Sequence, residues 1–411
     1  MVEQRKVVVI GAGPSGAIAA TLLKRKGYDV VVLEKQQFPR FSIGESLLPH
    51  CLDFIEEAGM LEAVEAQGYQ IKNGAAFGLA DEYTVFDFGK QFTANSKPYA
   101  YEVKRAEFDQ LLADCALEQG IEIRYQHEIT EVVFQENCAL LTVKPEQSES
   151  YQIECEFVLD GSGYGRVLSR LLQLETPSNL PPRQAIFTHI EDNITASQFE
   201  RDKILISVHP EHKDIWFWLI PFSDGRSSIG VVGEPHYFAQ FGDNLEQCLQ
   251  HFVKNTPNLT ALLDQAKWDT PYQKLTGYSA NVKQLYGKRF ALLGNSAEFL
   301  DPVFSSGVTI AMCSASLAVK ALDRQFKGEQ VNWQSEFADV LQRGVDTFRT
   351  YVMGWYDLSF QNVVFAQNRN ERVSAMISSI LAGYAWDLDN PYVKEHSRRL
   401  KVLAELCQSS A

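Results

Sequence analysis

The apolar positions of the chain follow two rhythms. Lys6-Val7-Val8-Val9-Ile10 is a nearly continuous β-branched run, the pattern of a strand buried on both faces of a parallel sheet. A glycine cluster, Gly11-Ala12-Gly13-Pro14-Ser15-Gly16, follows at once, then a helical stretch from Ala17 to Lys26 and a second strand over Asp29–Leu33. Arg105 to Gln119 sets Phe108, Leu111, Leu112 and Cys115 on one helical face, and Ile121–Tyr125 resumes a strand. Ile129–Phe134 and Ala139–Val143 read as a hairpin or meander, and Phe157-Val158-Leu159-Asp160-Gly161 as a strand ending in a turn. From Gln184 to Val232 the period becomes two. Ile204–Val208, Ile215–Pro221 and Ser228–Val232 are antiparallel strands between turn residues such as Ser223-Asp224-Gly225, and residues 73–102 alternate in the same way. Residues 235–265 and the chain beyond about Val331 read as helical, with Phe348, Tyr351, Trp355, Tyr356 and Phe360 as an aromatic cluster.

These elements predict an α/β protein. A Rossmann-like nucleotide-binding domain takes residues 1–72, 103–180 and 280–330. An inserted antiparallel β-sheet substrate domain takes 73–102 and 181–279, and a helical C-terminal region takes 331–411. The net charge of -14 argues against nucleic acid or an anionic membrane as the main partner. Seven cysteines without a C-x-x-C pair argue against a metal or disulfide framework and for a reducing, cytoplasmic home. No export segment and no membrane span are expected. Pro210 breaks helical spacing between His209 and His212, so no metal pair is expected there.

The first strand, Gly11, Gly13 and Gly16, the helix and the second strand form a dinucleotide fingerprint, completed by Glu34, 18 residues after Gly16. The glycines permit a tight turn and close approach of backbone to a pyrophosphate at the helix start, with Pro14 and Ser15 between them. Glu34 would accept from ribose hydroxyls and repel a 2′-phosphate, which suits FAD or NAD. Lys35, Arg40 and Ser46 are further candidates for cofactor contact. Gly44 would bend the chain and Ser46 would cap a helix running to about Gly59, while Arg40 and Glu45 also fit an ordinary surface pair. A second cofactor segment lies far along the chain. The strand Arg289–Leu293 leads into Gly294-Asn295, then Phe299-Leu300-Asp301-Pro302-Val303-Phe304-Ser305-Ser306-Gly307, then an Ala-rich helix. Backbone N–H groups at that helix start suit a flavin and a small anion, so FAD would be gripped from both ends.

The chain resembles the flavin-dependent halogenases, within the FAD-dependent monooxygenases of para-hydroxybenzoate hydroxylase fold, over roughly residues 1–330. Trp216-Phe217-Trp218-Leu219-Ile220-Pro221 matches the W-x-W-x-I-P signature, and Phe299, Pro302, Ser305 and Gly307 match F-x-x-P-x-x-S-x-G. Asp160-Gly161 resembles the internal Asp-Gly turn of the hydroxylases, and Arg105 the family's flavin-contacting arginine. The resemblance implies that Trp216 and Trp218 wall the substrate from the flavin, so that only a small oxidant passes. Their period-2 spacing is equally that of a packed strand face. It further implies a catalytic lysine, for which Lys72 stands at the corresponding place, 26 residues after Ser46; Lys104 is the second choice and a solvated surface lysine the plain alternative.

The implied reaction runs through a flavin C4a-hydroperoxide and hypohalous acid, with a halide ion held by backbone near Ser306 and Gly307 and the halogen passed by Lys72 to an electron-rich ring. Reduced FAD would come from a separate flavin reductase, because no second nucleotide fingerprint is present. Two departures stand out. Phe304 occupies the turn position where the tryptophan halogenases carry a Glu, which points to a phenol- or pyrrole-like substrate, either free or carrier- or protein-bound, rather than free indole. The usual Gly-Asp is Gly294-Asn295. Two other readings fit: a monooxygenase or dehydrogenase of the same fold, and a flavin-binding maturation or partner protein whose aromatic C-terminal region docks another protein.

Overall fold

The computed structural model describes residues 2–178, 180–195 and 199–409. The β-branched run becomes the strand Glu3–Ile10, whose residues 7–10 are buried. It lies at the middle of a largely parallel sheet, between Val30–Glu34 and Tyr151–Asp160. Glu122–Tyr125 extends this sheet beyond Val30–Glu34, and Phe290–Leu292 extends it beyond Tyr151–Asp160. Helices Pro14–Arg25, Arg105–Glu118 and Ser306–Phe326 pack together over it. The expected meander is present, with His127–Phe134 on Ala139–Pro145 and the latter antiparallel to Tyr151–Cys155.

The second sheet has seven strands, in the order Gln273–Thr276, Gln184–Glu191, Arg226–Gly233, Trp216–Pro221, Lys203–Val208, Gly74–Leu79, Glu82–Asp87. One pair, Gly74–Leu79 with Lys203–Val208, is parallel; the others are antiparallel. The period-2 pattern divides its two faces. Phe187, Trp216, Trp218 and Ile220 join the main core, whereas Ile186, Phe217, Leu219, Ile229 and Val231 pack beneath helix Leu245–Lys254. Asn244 caps that helix by accepting from the Gln247 N–H.

A two-stranded link, Gln70–Lys72 with Ala100–Glu102, joins the two sheets. The C-terminal helices Asp339–Tyr356 and Ser359–Val364 bury Phe348, Tyr351, Trp355 and Phe360 completely. This aromatic cluster is therefore interior, not a docking surface for another protein. Among the described residues, no helix is long and apolar enough to cross a membrane, and no group of three or more His, Cys, Asp or Glu is placed to hold a metal.

Candidate functional site

The glycine turn begins the site. Gly11 has a φ of +87°, and a side chain there would meet the Gly161 carbonyl. A Cβ on Gly16 would lie 1.8 Å from the Gly11 carbonyl oxygen, so strand end and helix start touch backbone to backbone. Glu34 accepts from the Ala12 and Gln36 N–H groups, one per oxygen, at 2.8 Å each. Those bonds fix the carboxylate at the end of its strand, at the edge of a cavity of about 460 Å³. Gly11, Gly13, Pro14, Ser15, Glu34 and Arg40 line one end of this cavity.

Arg40 does not form a surface pair with Glu45. It donates to Asp109 at 2.8 Å, and Asp109 also receives both Nε and Nη2 of Arg105. The Arg105 Nη1 donates to the Ile43 carbonyl at 2.7 Å. Two arginines and one buried carboxylate thus anchor the loop 40–46 against helix Arg105–Glu118, and both arginines reach the cavity.

At the other end Asn295, Pro302, Ser305 and Gly307 line the wall. Ser305 is left-handed, with a φ of 56°, and turns the chain into helix Ser306–Phe326. Trp216, Trp218 and Ile220 form the opposing wall, together with Ala185 and Phe187 of a nearby strand. The two indole rings lie 6.1 Å apart between centroids. Trp218 Nε1 donates to Ser228 Oγ and Trp216 Nε1 to the Tyr356 hydroxyl.

Six of the sequence candidates are not on the cavity wall: Gly16, Lys35, Lys72, Asp160, Gly294 and Ser306. Lys35 pairs with Glu128 at the surface. Gly16 and Gly294 serve close packing, Gly294 against the backbone of Ala311. Asp160 is fully buried, and its oxygens accept from the Ser162 and Leu168 N–H groups. It shapes the turn that presents Gly161, Ser162 and Gly163 to the cavity. Ser306 is buried at the first helical position. Phe304 points away too, packing edge-on against Trp355 and Phe360.

Lys72 is 1% exposed, which excludes the solvated surface reading. Its Nζ donates to Ser46 Oγ at 2.7 Å and to the Leu47 carbonyl at 3.0 Å, and Ser46 lines the cavity. Ser46 does not cap a helix; the helix spans Pro49–Glu57 with Leu48 before it. Glu102 is buried near Lys72 and neither of its oxygens has a hydrogen-bond partner. Burial pushes its carboxyl up to about 7, against the opposing pull of Lys72, while burial lowers Lys72 itself. Lys104 instead pairs with Asp224 outside this compartment.

Sequence reading missed a hydrogen-bonded chain behind the Trp wall. The Tyr356 hydroxyl accepts from Trp216 and donates to Asp301 Oδ2 at 2.8 Å; Asp301 Oδ1 accepts from Val303 N–H. Tyr278 donates to the same carboxylate at 3.4 Å, and the Arg183 guanidinium lies 3.9 Å over the Tyr356 ring. The two signature segments are thereby tied together by one tyrosine of a C-terminal helix. Burial raises the Asp301 carboxyl to about 6. A carboxyl raised above its ordinary value of 3.8 binds its proton more tightly in the folded state, so its stabilising contribution is present below about pH 4 and is lost as pH rises toward 6. Asp301→Asn is expected to remove this slope and to gain on the order of 2–3 kcal/mol relative to wild type above pH 6. Urea unfolding at pH 4 and pH 7 checks it; an unchanged difference between the two pH values contradicts the assignment.

Glycine turn, ribose-side carboxylate, paired arginines and a second backbone cradle define an FAD-binding oxidoreductase site. The residues fit the cofactor, because Gly11 and Gly16 close the turn backbone to backbone, Gly13 leaves the cavity wall at the helix start free of a side chain where a pyrophosphate would lie, and the Glu34 carboxylate is held where a ribose would lie. Residues 4–338 match the FAD binding domain family. The chain belongs to this family, and its relatives include flavin-dependent halogenases. It is 27% identical over 394 residues to a 1H-pyrrole-2-carbonyl-[peptidyl-carrier protein] chlorinase of Pseudomonas fluorescens, covering 90% of this chain and 87% of that protein. It is 32% identical over 336 residues to a tryptophan 2-halogenase of Chondromyces crocatus, covering 79% of this chain and 62% of that one. Among solved structures, a flavoprotein/dehydrogenase from Cytophaga hutchinsonii superposes with a TM-score of 0.95 at 41% identity, covering 99% of this chain and all of that one.

Proposed function

We propose that the protein is a two-component flavin-dependent halogenase acting on an electron-rich, phenol- or pyrrole-like ring, free or carried on a protein. The observation that carries this reading is the joining of an FAD cradle and an apolar compartment walled by Trp216 and Trp218 in one cavity, with Lys72 buried behind Ser46 at its edge. Bound FAD, once reduced, would supply oxygen activation and oxidation of the halide. Arg40, Arg105 and the glycine turn hold the cofactor, the indoles exclude bulk water and keep the ring at a distance, and Lys72 presents a proton donor at Ser46. The carrier-bound pyrrole substrate named for one relative supports a substrate of that class. A cytoplasmic location and a separate flavin reductase complete the reading.

Purified protein is expected to brominate monochlorodimedone or a simple phenol when given FADH2, O2 and bromide. The similarity to a flavoprotein/dehydrogenase favours a second reading, dehydrogenation or hydroxylation on the same site. Turnover of a phenol panel to hydroxylated or oxidised products, with no halogenated product under any halide, selects that reading instead.

A further inference from the structure

The turn at 302–307 brings no carboxylate to the substrate, because Phe304 is directed into the C-terminal helices. Substitution on an aromatic ring still releases a proton, which needs an acceptor near the ring. The structure offers one elsewhere. Glu45 is 1% exposed and follows Gly44 in the loop that reaches the cavity. Its backbone carbonyl accepts from Val103 N–H at 2.7 Å, and its Oε1 accepts from His189 Nε2 at 2.6 Å. Its other oxygen is buried with no partner. His189 lies on the strand Gln184–Glu191 at the same period-2 face as Ala185 and Phe187, one step beyond these two wall residues; it stands off the wall itself and reaches it through Glu45, which lines the cavity. Its side chain is 21% exposed, and among the described residues its one hydrogen bond is through Nε2. Phe41 stacks on Phe187 and leans on the His189 ring from the loop side, and Phe222 packs edge-on from the sheet side.

We infer that Glu45 and His189 form a carboxylate–imidazole dyad in which His189 Nδ1 takes the proton released by the aromatic substrate. This rests on the halogenase reading. With Nε2–H donated to Glu45, the neutral ring keeps its lone pair on Nδ1, and the buried carboxylate stabilises the imidazolium that forms. The step balances. The ring carbon attacks the halogen of hypohalous acid, the O–X bond breaks, and hydroxide takes the hydroxyl proton of Ser46, which Lys72 replaces from behind, to leave as water. The ring C–H bond then breaks, its electron pair restores the aromatic ring, and the proton passes to Nδ1. Charges around the dyad are sparse: Glu102 and Arg105 reach Glu45 from the strand and helix beside it, and the Lys104–Asp224 pair flanks Phe222.

The test uses the flavin-loaded protein with FADH2, O2, bromide and phenol. His189→Gln is expected to lower brominated product by about 10²-fold while FADH2 oxidation and flavin retention stay within twofold of wild type, and to remove the acid limb of the product–pH profile. Added imidazole is expected to restore product in His189→Gly. Glu45→Gln is expected to show a smaller loss and a displaced acid limb. A separate reading comes from 4-nitrophenol added anaerobically to the FADH2-loaded protein: wild type favours the coloured phenolate near neutral pH and His189→Gln does not. Wild-type product levels and pH profile in His189→Gln, or a loss that merely tracks flavin release, overturn the dyad. Absence of brominated product from wild type overturns the halogenase reading instead, and the nitrophenolate comparison still decides what His189 does.

Discussion

Lys72→Met is expected to reduce halogenated product by about 10²-fold or more, with FAD retained and FADH2 still consumed. The uncoupled oxidation then appears as hydrogen peroxide, which a peroxidase-linked assay reads against product formation. The physical argument is the lysine's placement. It is enclosed, with two acceptors for its three protons, Ser46 Oγ and the Leu47 carbonyl, and it sits behind a residue of the cavity wall rather than in solvent. Removing it leaves Glu102 without the one cation that lowers it, so that carboxyl rises further above about 7 and stays protonated at neutral pH. The variant should therefore fold, at a cost of about 1–3 kcal/mol for the Ser46 and Leu47 groups left unpaired. Lys72→Met/Glu102→Gln separates the two effects: it is expected to recover stability and none of the product. Full product formation in Lys72→Met removes the lysine from the chemistry.

Gly16→Ala is expected to abolish flavin retention and to destabilise the protein by about 3 kcal/mol or more. The added carbon would stand 1.8 Å from the Gly11 carbonyl oxygen, and the obstacle is backbone on both sides. Neither segment can yield, because Gly11 N–H is bonded to the Leu33 carbonyl at 2.8 Å and the Gly161 N–H to the Ile10 carbonyl. Flavin fluorescence titration and thermal melting measure the two effects. Lys35→Ala is the control, since Lys35 meets only Glu128 at the surface, and both quantities should stay near wild type. Retention of FAD by Gly16→Ala would contradict the close packing of strand and helix described above.

The cofactor grip is legible in the sequence because it is local. Three glycines and an acid within about thirty residues carry their own geometry. The alternation over 184–232 likewise announces a sheet, and even sorts Trp216 and Trp218 from Phe217 and Leu219 by face. What the sequence conceals are pairings across distance. Glu45 and His189 are 144 positions apart, and Trp216 and Tyr356 are 140 apart. No periodicity links such residues; only the folding of the loop 40–46 and of a C-terminal helix onto the substrate sheet brings them together. Asp160 illustrates the converse. Its motif is visible, but whether the carboxylate faces the ligand or its own turn depends on the Ser162 and Leu168 amides, which no pattern reveals.

The parallel pairing of Gly74–Leu79 with Lys203–Val208 has a consequence for how the molecule is made. Local pairs such as Glu3–Ile10 with Val30–Glu34 and Gly74–Leu79 with Glu82–Asp87 can form early, but each sheet is joined only when strands more than a hundred positions apart meet: Gly74–Leu79 with Lys203–Val208, Glu3–Ile10 with Tyr151–Asp160, and the latter with Phe290–Leu292. Neither sheet can be completed while the nascent chain is short. Its assembly is therefore slow, late and dependent on distant encounters, and the newly made polypeptide spends its early life with β edges uncovered.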